Sequence, residues 1–216
     1  SRDRFIEDNK RGFKRIMSSR NLDNDVEDQV VDKLVNTVDK AMPKLTHRYY
    51  KWKANQFGQT KLDWWDRNAP LPHSSEKLIQ WSEARDIILD SFSSFHPEIS
   101  NIAKLFFKNN WIDASLRKGK ASGAFAHPAV PSLHPYILVN YQGKIRDVMT
   151  LAHELGHGVH QVLASQQGHL MADTPLTLAE TASVFGEMLT FQSLLRNKST
   201  KEERNILLAS KVEDML

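Results

Sequence analysis

The stretch LAHELGHGVH, residues 151–160, decides how the rest of the chain is interpreted. It places His153 and His157 four residues apart in an apolar, helix-compatible run, with Glu154 directly after the first histidine. On an α-helix that turns about 100° and rises about 1.5 Å per residue, the two histidines lie one turn apart on the same face. Two imidazoles at this spacing can bind one metal ion. Glu154 lies about a quarter-turn away and can reach a water on that ion as a general base.

The residues around this motif favour a metal site over a chance match of polar residues on a helix. Apolar residues flank the histidines, which predicts a buried helix. They are Val148, Met149, Leu151, Ala152, Leu155, Val159, Val162 and Leu163. Because unpaired polar groups in an apolar setting cost free energy, buried histidines and a carboxylate need a partner. A metal ion is such a partner.

A third protein ligand must come from outside the motif. His160 lies on the same face as His153 but about 10.5 Å along the axis, so it is interpreted as a packing or supporting histidine. The carboxylates that follow are Asp173, in a predicted loop, and Glu180 and Glu187, two turns apart on the next predicted helix. Glu180 is favoured, since a carboxylate from a second helix completes a two-histidine, one-glutamate zinc site with one open position. Glu187 is predicted to orient one histidine, with a surface carboxylate as the alternative.

Five motifs carry a resemblance to a known family. They are HELGH at 153–157, ETASVFGE at 180–187, DRNAPLP at 66–72, GKASGAF at 119–125 and HPYILVNY at 134–141. Together they resemble the oligoendopeptidase F branch of the thimet oligopeptidase family of zinc peptidases, over most of the chain from about Thr46 onward. The resemblance implies that His153, His157 and Glu180 hold zinc and that Glu154 is the general base. It also implies a mostly helical fold whose active site lies in a deep channel that admits short peptides.

The function that the resemblance implies is zinc-dependent hydrolysis of internal bonds in short peptides, with one zinc ion per chain. The alternatives are a zinc hydrolase with another substrate-size preference and a non-catalytic or inactive helical fragment. Family members supply Tyr and His side chains for the developing oxyanion from a segment beyond the third ligand, and this chain ends at Leu216 before such a segment. The chain is therefore interpreted as one region, 1–216, forming the core of a metallopeptidase catalytic domain truncated at both ends.

Residues 117–141 contain the only convincing β pattern in a mainly α fold. Glycines and prolines exclude a long helix there, and residues 136–141 are rich in β-forming types. We expect a small sheet beside the metal-binding helix, with an edge strand that binds an extended peptide through main-chain hydrogen bonds. A sheet that only supports the helix is the alternative. The residues assigned to substrate binding are Gly123, Ala124, Phe125, His134 and Tyr136.

Apolar residues at helical spacing predict the remaining elements. The predicted helices cover residues 1–20, 26–57 with an interruption at Pro43, 74 or 75 to 95, 97–109, 176–197, and 199 or 200 to 216. Residues 62–72 are predicted to be irregular, with Trp64 and Trp65 as packing anchors. The alternating basic and aromatic residues 48–53 are interpreted as a helix whose aromatic rings face a core rather than stacking on nucleic-acid bases.

Composition excludes several classes of protein. The 216 residues are 40% hydrophobic and 25% charged, which is typical of a globular protein. The net charge of +3 is spread along the chain without a basic stripe, so nucleic-acid binding is not expected. No apolar run is long enough to span a bilayer. There is no cysteine, which excludes disulfides and thiolate ligands and favours a reducing compartment, so a cytoplasmic location is expected.

Overall fold

Helices make up most of the computed structural model, which describes residues 1–72, 78–198 and 200–216. The contacts between residues divide the chain into two units. The first comprises Ser1–Ser74 with Lys201–Leu216, and the second comprises Ser75–Thr200. The second unit holds the HELGH motif, the carboxylates that follow it and a three-stranded sheet, so the predicted mainly α fold with a small sheet is confirmed.

The first unit contains five helices within the described residues. They are α1 (Arg2–Lys10), α2 (Ser18–Asp23), α3 (Asp28–Ala41), α4 (Thr46–Gln56) and α9 (Lys201–Met215). The single helix predicted over residues 1–20 is wrong, because the chain turns at Gly12, whose φ of +77° favours glycine. The interruption at Pro43 is confirmed, since α3 ends and α4 begins on either side of it. Of the two residues proposed to cap α9, Ser199 lies outside the described residues.

A buried polar cluster joins α4 to α9 in this unit. Lys53 is fully buried, and its Nζ donates to Glu213 Oε1 at 2.8 Å and to the carbonyl of Arg67 at 2.6 Å. Tyr49 Oη donates to Glu213 Oε2 at 2.8 Å. The pKa of Tyr49 is raised, chiefly by burial and then by this carboxylate. Paired in this way, the buried Lys53 and the half-buried Glu213 hold together two helices that are distant in sequence.

Trp64 and Trp65 correct one prediction about packing. They lie in a 3₁₀ turn, Trp64–Asp66, and their side chains are 83% and 64% exposed. The two rings meet edge to face with centroids 5.9 Å apart. They are therefore not anchors in a core, because both residues are largely exposed and their rings contact each other.

The second unit is built on α5 (Trp81–Phe95), α6 (Pro97–Lys108), α7 (Ile145–Ala164) and α8 (Leu176–Arg196). The predicted break at His96-Pro97 is confirmed. Pro97 occupies the first turn of α6, where its missing N–H costs nothing, and the His96 side chain accepts a hydrogen bond from the Glu98 amide. The caps predicted for α5, Ser74 or Ser75, lie outside the described residues, and the helix begins at Trp81.

The sheet has three short strands in the order β1-β3-β2: β1 (Ile112–Asp113), β2 (Phe125–His127) and β3 (Tyr136–Leu138). β3 pairs with β1 in parallel and with β2 in antiparallel orientation. Two of the strands lie in the predicted β region, and β1 lies just before it. β3 is thus the central strand, so the prediction that the Tyr136 strand offers an open edge is wrong; β1 and β2 are the edge strands, and β2 begins at Phe125.

Helix α7 runs through the centre of the core of this unit. The apolar residues predicted to make it a buried helix are fully buried at four positions: Val148, Leu151, Ala152 and Leu155. They pack against Phe92 of α5, Phe106 of α6 and Ile137 of β3. Asp147 fixes the start of α7, because its Oδ2 accepts hydrogen bonds from the amides of Gln142 and Lys144. Among the described residues, no helix is both long and apolar enough to cross a membrane.

Candidate metal centre

Two glycines bring the backbones of α7 and α8 into contact. A Cβ added to Gly156 would lie 2.5 Å from the carbonyl oxygen of Ala182 and 2.7 Å from the Cα of Ser183. On the other helix, a Cβ added to Gly186 would lie 3.1 Å from the carbonyl oxygen of Ala152. Because no side chain separates the helices at these points, side chains on neighbouring turns can meet across the crossing.

Three side chains meet there. His153 Nε2 lies 3.2 Å from Glu180 Oε2, and His157 Nε2 lies 3.4 Å from the same oxygen. One ligand atom from each of the three residues falls within 4.8 Å of the other two. A tetrahedral zinc ion with bonds of about 2.0–2.2 Å would separate its ligand atoms by about 3.3–3.6 Å. The distances to Glu180 therefore fit a zinc-sized ion, and two imidazoles with a carboxylate are a donor set that zinc prefers.

Two of the candidate ligands, His153 and Glu180, each contact a further polar side chain on α8. Glu187 Oε2 lies 3.2 Å from His153 Nδ1, the nitrogen that points away from Glu180. Ser183 Oγ donates to Glu180 Oε2 at 2.7 Å, and Ser183 is fully buried. Sequence reasoning placed Glu187 beside a histidine and missed Ser183, although its spacing of three residues from Glu180 puts both on one helix face.

The electrostatics differ between the two histidines. The hydrogen bond to Glu187 raises the pKa of His153, against the effect of burial and with help from the charges of Glu154 and Glu180. Burial lowers the pKa of His157, which favours the neutral imidazole that a metal requires.

Glu154 is the buried carboxylate of the motif. It is 6% exposed, and its Oε2 has no hydrogen-bond partner among the described residues. Burial raises its pKa above the ordinary glutamate value. A carboxylate that is buried without a full set of partners stands in contrast to Glu180, whose side chain is 49% exposed. The centre therefore combines a solvent-facing carboxylate, Glu180, with a shielded one, Glu154.

The remaining predicted residues lie outside this group. His160 is half-buried on α7. Its charge helps to lower the pKa of His157, after burial and against the charge of Glu180, which raises it. Asp173 lies in the loop before α8 and does not join the cluster of possible ligands found among the described residues.

The residues predicted to bind substrate divide between the edge and the outer face of the sheet. Gly123, with φ of +86°, and Ala124 lead directly into β2, which begins at Phe125. Tyr136 is 51% exposed on the face opposite the buried Ile137. His134 stacks on Trp111 with ring centroids 4.1 Å apart and contacts Tyr136. The structure therefore places the first three along one edge and the last two in an aromatic cluster on the outer face.

Comparison with known proteins decides the family. The sequence profile of peptidase family M3 matches residues 7–216. The chain belongs to peptidase family M3. This M3 chain is 30% identical over 191 residues to oligopeptidase PepF of Bacillus subtilis. It is 29% identical over 188 residues to the chromosomal oligoendopeptidase F of Lactococcus lactis subsp. cremoris. Both similarities support the oligoendopeptidase F branch of this metallopeptidase family.

A solved structure shares the fold of this M3 chain. PZ peptidase A, solved with an inhibitor, superposes with a TM-score of 0.80 at 19% identity, over 98% of this chain and 39% of its own. The two sequence relatives are matched over 88% and 87% of this chain. The chain spans only 28% of the length of the Bacillus protein and 31% of the Lactococcus protein.

Proposed function

We propose that this chain is the zinc-binding part of an oligoendopeptidase that hydrolyses internal bonds of short peptides. The observation that carries the proposal is the meeting of His153 Nε2, His157 Nε2 and a Glu180 oxygen within 4.8 Å. These three side chains would hold the ion and leave one coordination position for water or substrate. Zinc bound there would lower the pKa of its water toward about 7 and polarise the scissile carbonyl group.

Glu154 is the proposed proton carrier. In this role it takes the proton of the attacking water and later gives it to the leaving amine. Two observations support the role: the carboxylate is buried, and its Oε2 has no partner in the described part of the chain. A buried carboxylate oxygen without a protein partner can accept a hydrogen bond from a water on the ion. Its raised pKa brings its basicity closer to neutral pH, where a general base works best.

Glu187 and Ser183 are proposed to orient the ligand groups. When His153 Nδ1 donates to Glu187, the lone pair of Nε2 faces Glu180 and the ion. Ser183 Oγ restrains one Glu180 oxygen in the same way. These contacts would keep the ligand atoms in place when the ion is absent and limit the freedom that is lost when it binds.

The proposed substrate site is the open edge of β2, with Gly123 and Ala124 before it. The edge strand is joined to α7, since Gln161 Nε2 donates to the carbonyl of Ala126 at 3.3 Å, and Gln161 lies one turn beyond His157. An extended peptide on this edge would therefore run close to the metal centre. Short peptides are the proposed partners, as the names of the relatives indicate for those proteins. A cytoplasmic location is proposed from the cysteine-free composition.

The proposal is tested by turnover of peptides of graded length. We expect the zinc-loaded protein to cleave short synthetic peptides internally, to lose the activity with a chelator and to regain it with zinc. A long unfolded protein should be a poor substrate. Preferential cleavage of the long substrate would indicate a zinc hydrolase of another size class. A protein that binds no zinc would contradict the proposal.

A further inference from the structure

The direction of the main-chain groups in the central strand follows from two hydrogen bonds. The amide of Ile137 donates to the carbonyl of Trp111 at 2.9 Å, and the amide of Val139 donates to the carbonyl of Asp113 at 3.0 Å. Residues 137 and 139 therefore turn their main-chain groups toward β1. Because successive residues of a strand point their main-chain groups to opposite sides, residues 136 and 138 face β2.

The register then shows which groups of β2 face outward. Leu138 lies opposite Phe125, and Tyr136 lies opposite His127. Phe125 and His127 thus use their main-chain groups to pair with β3. Ala126, between them, points its N–H and C=O away from β3 and toward the open edge.

One of these two outward groups is already occupied by a side chain of α7. Gln161 Nε2 donates to the carbonyl of Ala126 at 3.3 Å. Gln161 Oε1 is buried and has no partner among the described residues, so the amide gains only one hydrogen bond from this arrangement. Gln161 follows His157 by four residues, so its backbone lies about one helical turn, roughly 6 Å along α7, from a proposed zinc ligand.

The Asn140 side chain binds the segment that leads into β2. Its Nδ2 donates to the carbonyls of Ala121 at 3.0 Å and Gly123 at 2.9 Å. Continuing the register places Gly123 opposite Asn140. The Asn140 side chain therefore donates to the Gly123 carbonyl the hydrogen bond that a paired strand would donate from its main chain. Ala124 then faces outward like Ala126, and no hydrogen bond within the described residues uses its N–H or C=O.

We propose that Gln161 is a positioning residue that sets the register of a peptide bound on β2. The edge offers three main-chain groups to a peptide: the N–H and C=O of Ala124 and the N–H of Ala126. Gln161 already donates to the fourth group, the C=O of Ala126, so main-chain pairing with the peptide ends at the N–H of Ala126. The inference rests on the proposed function, because it concerns the peptide that the metal centre would cleave.

Removing the Gln161 side chain would free the C=O of Ala126, and this has a defined consequence for cleavage. Main-chain pairing along a strand repeats every two residues, so a peptide that can reach Ala126 C=O can also bind in a position shifted by two residues. One added main-chain hydrogen bond corresponds to about a 2- to 10-fold lower KM. Only peptides long enough to reach past Ala126 gain it.

The first test compares Gln161→Ala with Gln166→Ala, a substitution of an exposed glutamine just after the same helix. Cleavage products of peptides of increasing length are mapped by mass spectrometry, and KM and kcat are measured separately. We expect Gln161→Ala to add cleavage two residues from the wild-type bond and to lower KM for the longer peptides alone. Gln166→Ala should match the wild type. Unchanged products, or a KM change equal at all lengths, would overturn the proposal.

The second test does not depend on turnover. A long peptide is added to zinc-loaded Glu154→Gln protein, and hydrogen exchange is followed at the amides of Ala124 and Ala126. We expect exchange to slow at both positions. Slowed exchange in a protein whose wild type cleaves nothing would leave the register proposal standing and refute the proposed function. Cleavage by the wild type without slowed exchange at these amides would refute the register proposal.

Discussion

The backbone of Gly156 lies directly against that of Ala182, so that a Cβ on the glycine would stand 2.5 Å from the alanine carbonyl oxygen. This contact sets the distance between the helix that carries the two histidines and the helix that carries Glu180. With the helices in contact, a single Glu180 oxygen lies 3.2 Å from His153 and 3.4 Å from His157. The glycine inside the HELGH motif is thus a steric requirement of the centre.

Gly156→Ala should push α8 away and weaken metal binding. We expect a loss of about 1–3 kcal/mol in the free energy of unfolding from overpacking. Zinc affinity should fall by about 10- to 100-fold, as when supporting contacts of a site are lost. Gly158→Ala is the matched control, since its Cβ would meet Phe106 at 2.6 Å, away from Glu180. It should destabilise the fold and keep zinc affinity; equal zinc loss in both variants would contradict the explanation.

Glu154→Gln should separate metal binding from catalysis. The amide keeps the size of the side chain but cannot accept the proton of water, so kcat should fall by about 10²- to 10⁴-fold. Zinc content should stay at the wild-type level, because Glu154 is not among the three converging side chains. Titration calorimetry and peptide turnover on the same preparation check both expectations. Substantial remaining turnover would remove Glu154 from its proposed role.

Glu187→Gln should show a pH-dependent effect in the metal-free protein. Glu187 raises the pKa of His153 above its ordinary value of 6.5. A histidine with a raised folded-state pKa contributes stability that is present below the unfolded value and lost as pH rises through the folded value. The variant should therefore lose more unfolding free energy at about pH 5.5 than at about pH 8 in urea titrations with a chelator present. An equal loss at both pH values would mean that the pair does not titrate in this way.

Lys120→Met should destabilise the sheet. The side chain of Lys120 is 2% exposed, and its ammonium group donates to the carbonyls of Asp113 at 2.9 Å, Ser115 at 3.0 Å and Val139 at 2.7 Å. Removing the donor leaves the carbonyls of Ser115 and Val139 without this partner, while the carbonyl of Asp113 keeps its hydrogen bond from the Val139 amide. Hydrogen bonds to charged groups are worth about 1.5–3 kcal/mol, so Tm should fall by about 3–12 °C. Lys118→Met, at an exposed position, should change Tm little. Matching melting curves for the two variants would show that Lys120 is not a structural clamp.

Local patterns predicted the residues of the candidate centre because its geometry is mostly local. The spacing of His153 and His157 fixes their common face on any helix, and Glu180 and Glu187 share a face of the next. Ser183 obeys the same spacing rule, yet a serine on a buried helix gives no signal of what it contacts.

Contacts that depend on strand register and on the path of loops could not be predicted from the sequence. Gln161 meets Ala126, and Asn140 meets Gly123, only because short strands happen to align at those positions. β1 is two residues long and has no recognisable pattern, so the central position of β3 was not foreseen. The sequence predicts Trp64 and Trp65 as packing anchors, whereas their burial depends on partners that the sequence does not reveal.

Zinc stoichiometry tests the central claim most directly. Purified protein and its Glu180→Ala variant are dialysed against a metal buffer, and zinc is measured by atomic absorption alongside a folding check by circular dichroism. We predict one zinc ion per wild-type chain and loss, or a sharp weakening, of binding in the variant at unchanged helix content. A wild-type chain without stoichiometric zinc, or a folded Glu180→Ala variant that keeps one tightly bound ion, would contradict the assignment of His153, His157 and Glu180 as the metal centre.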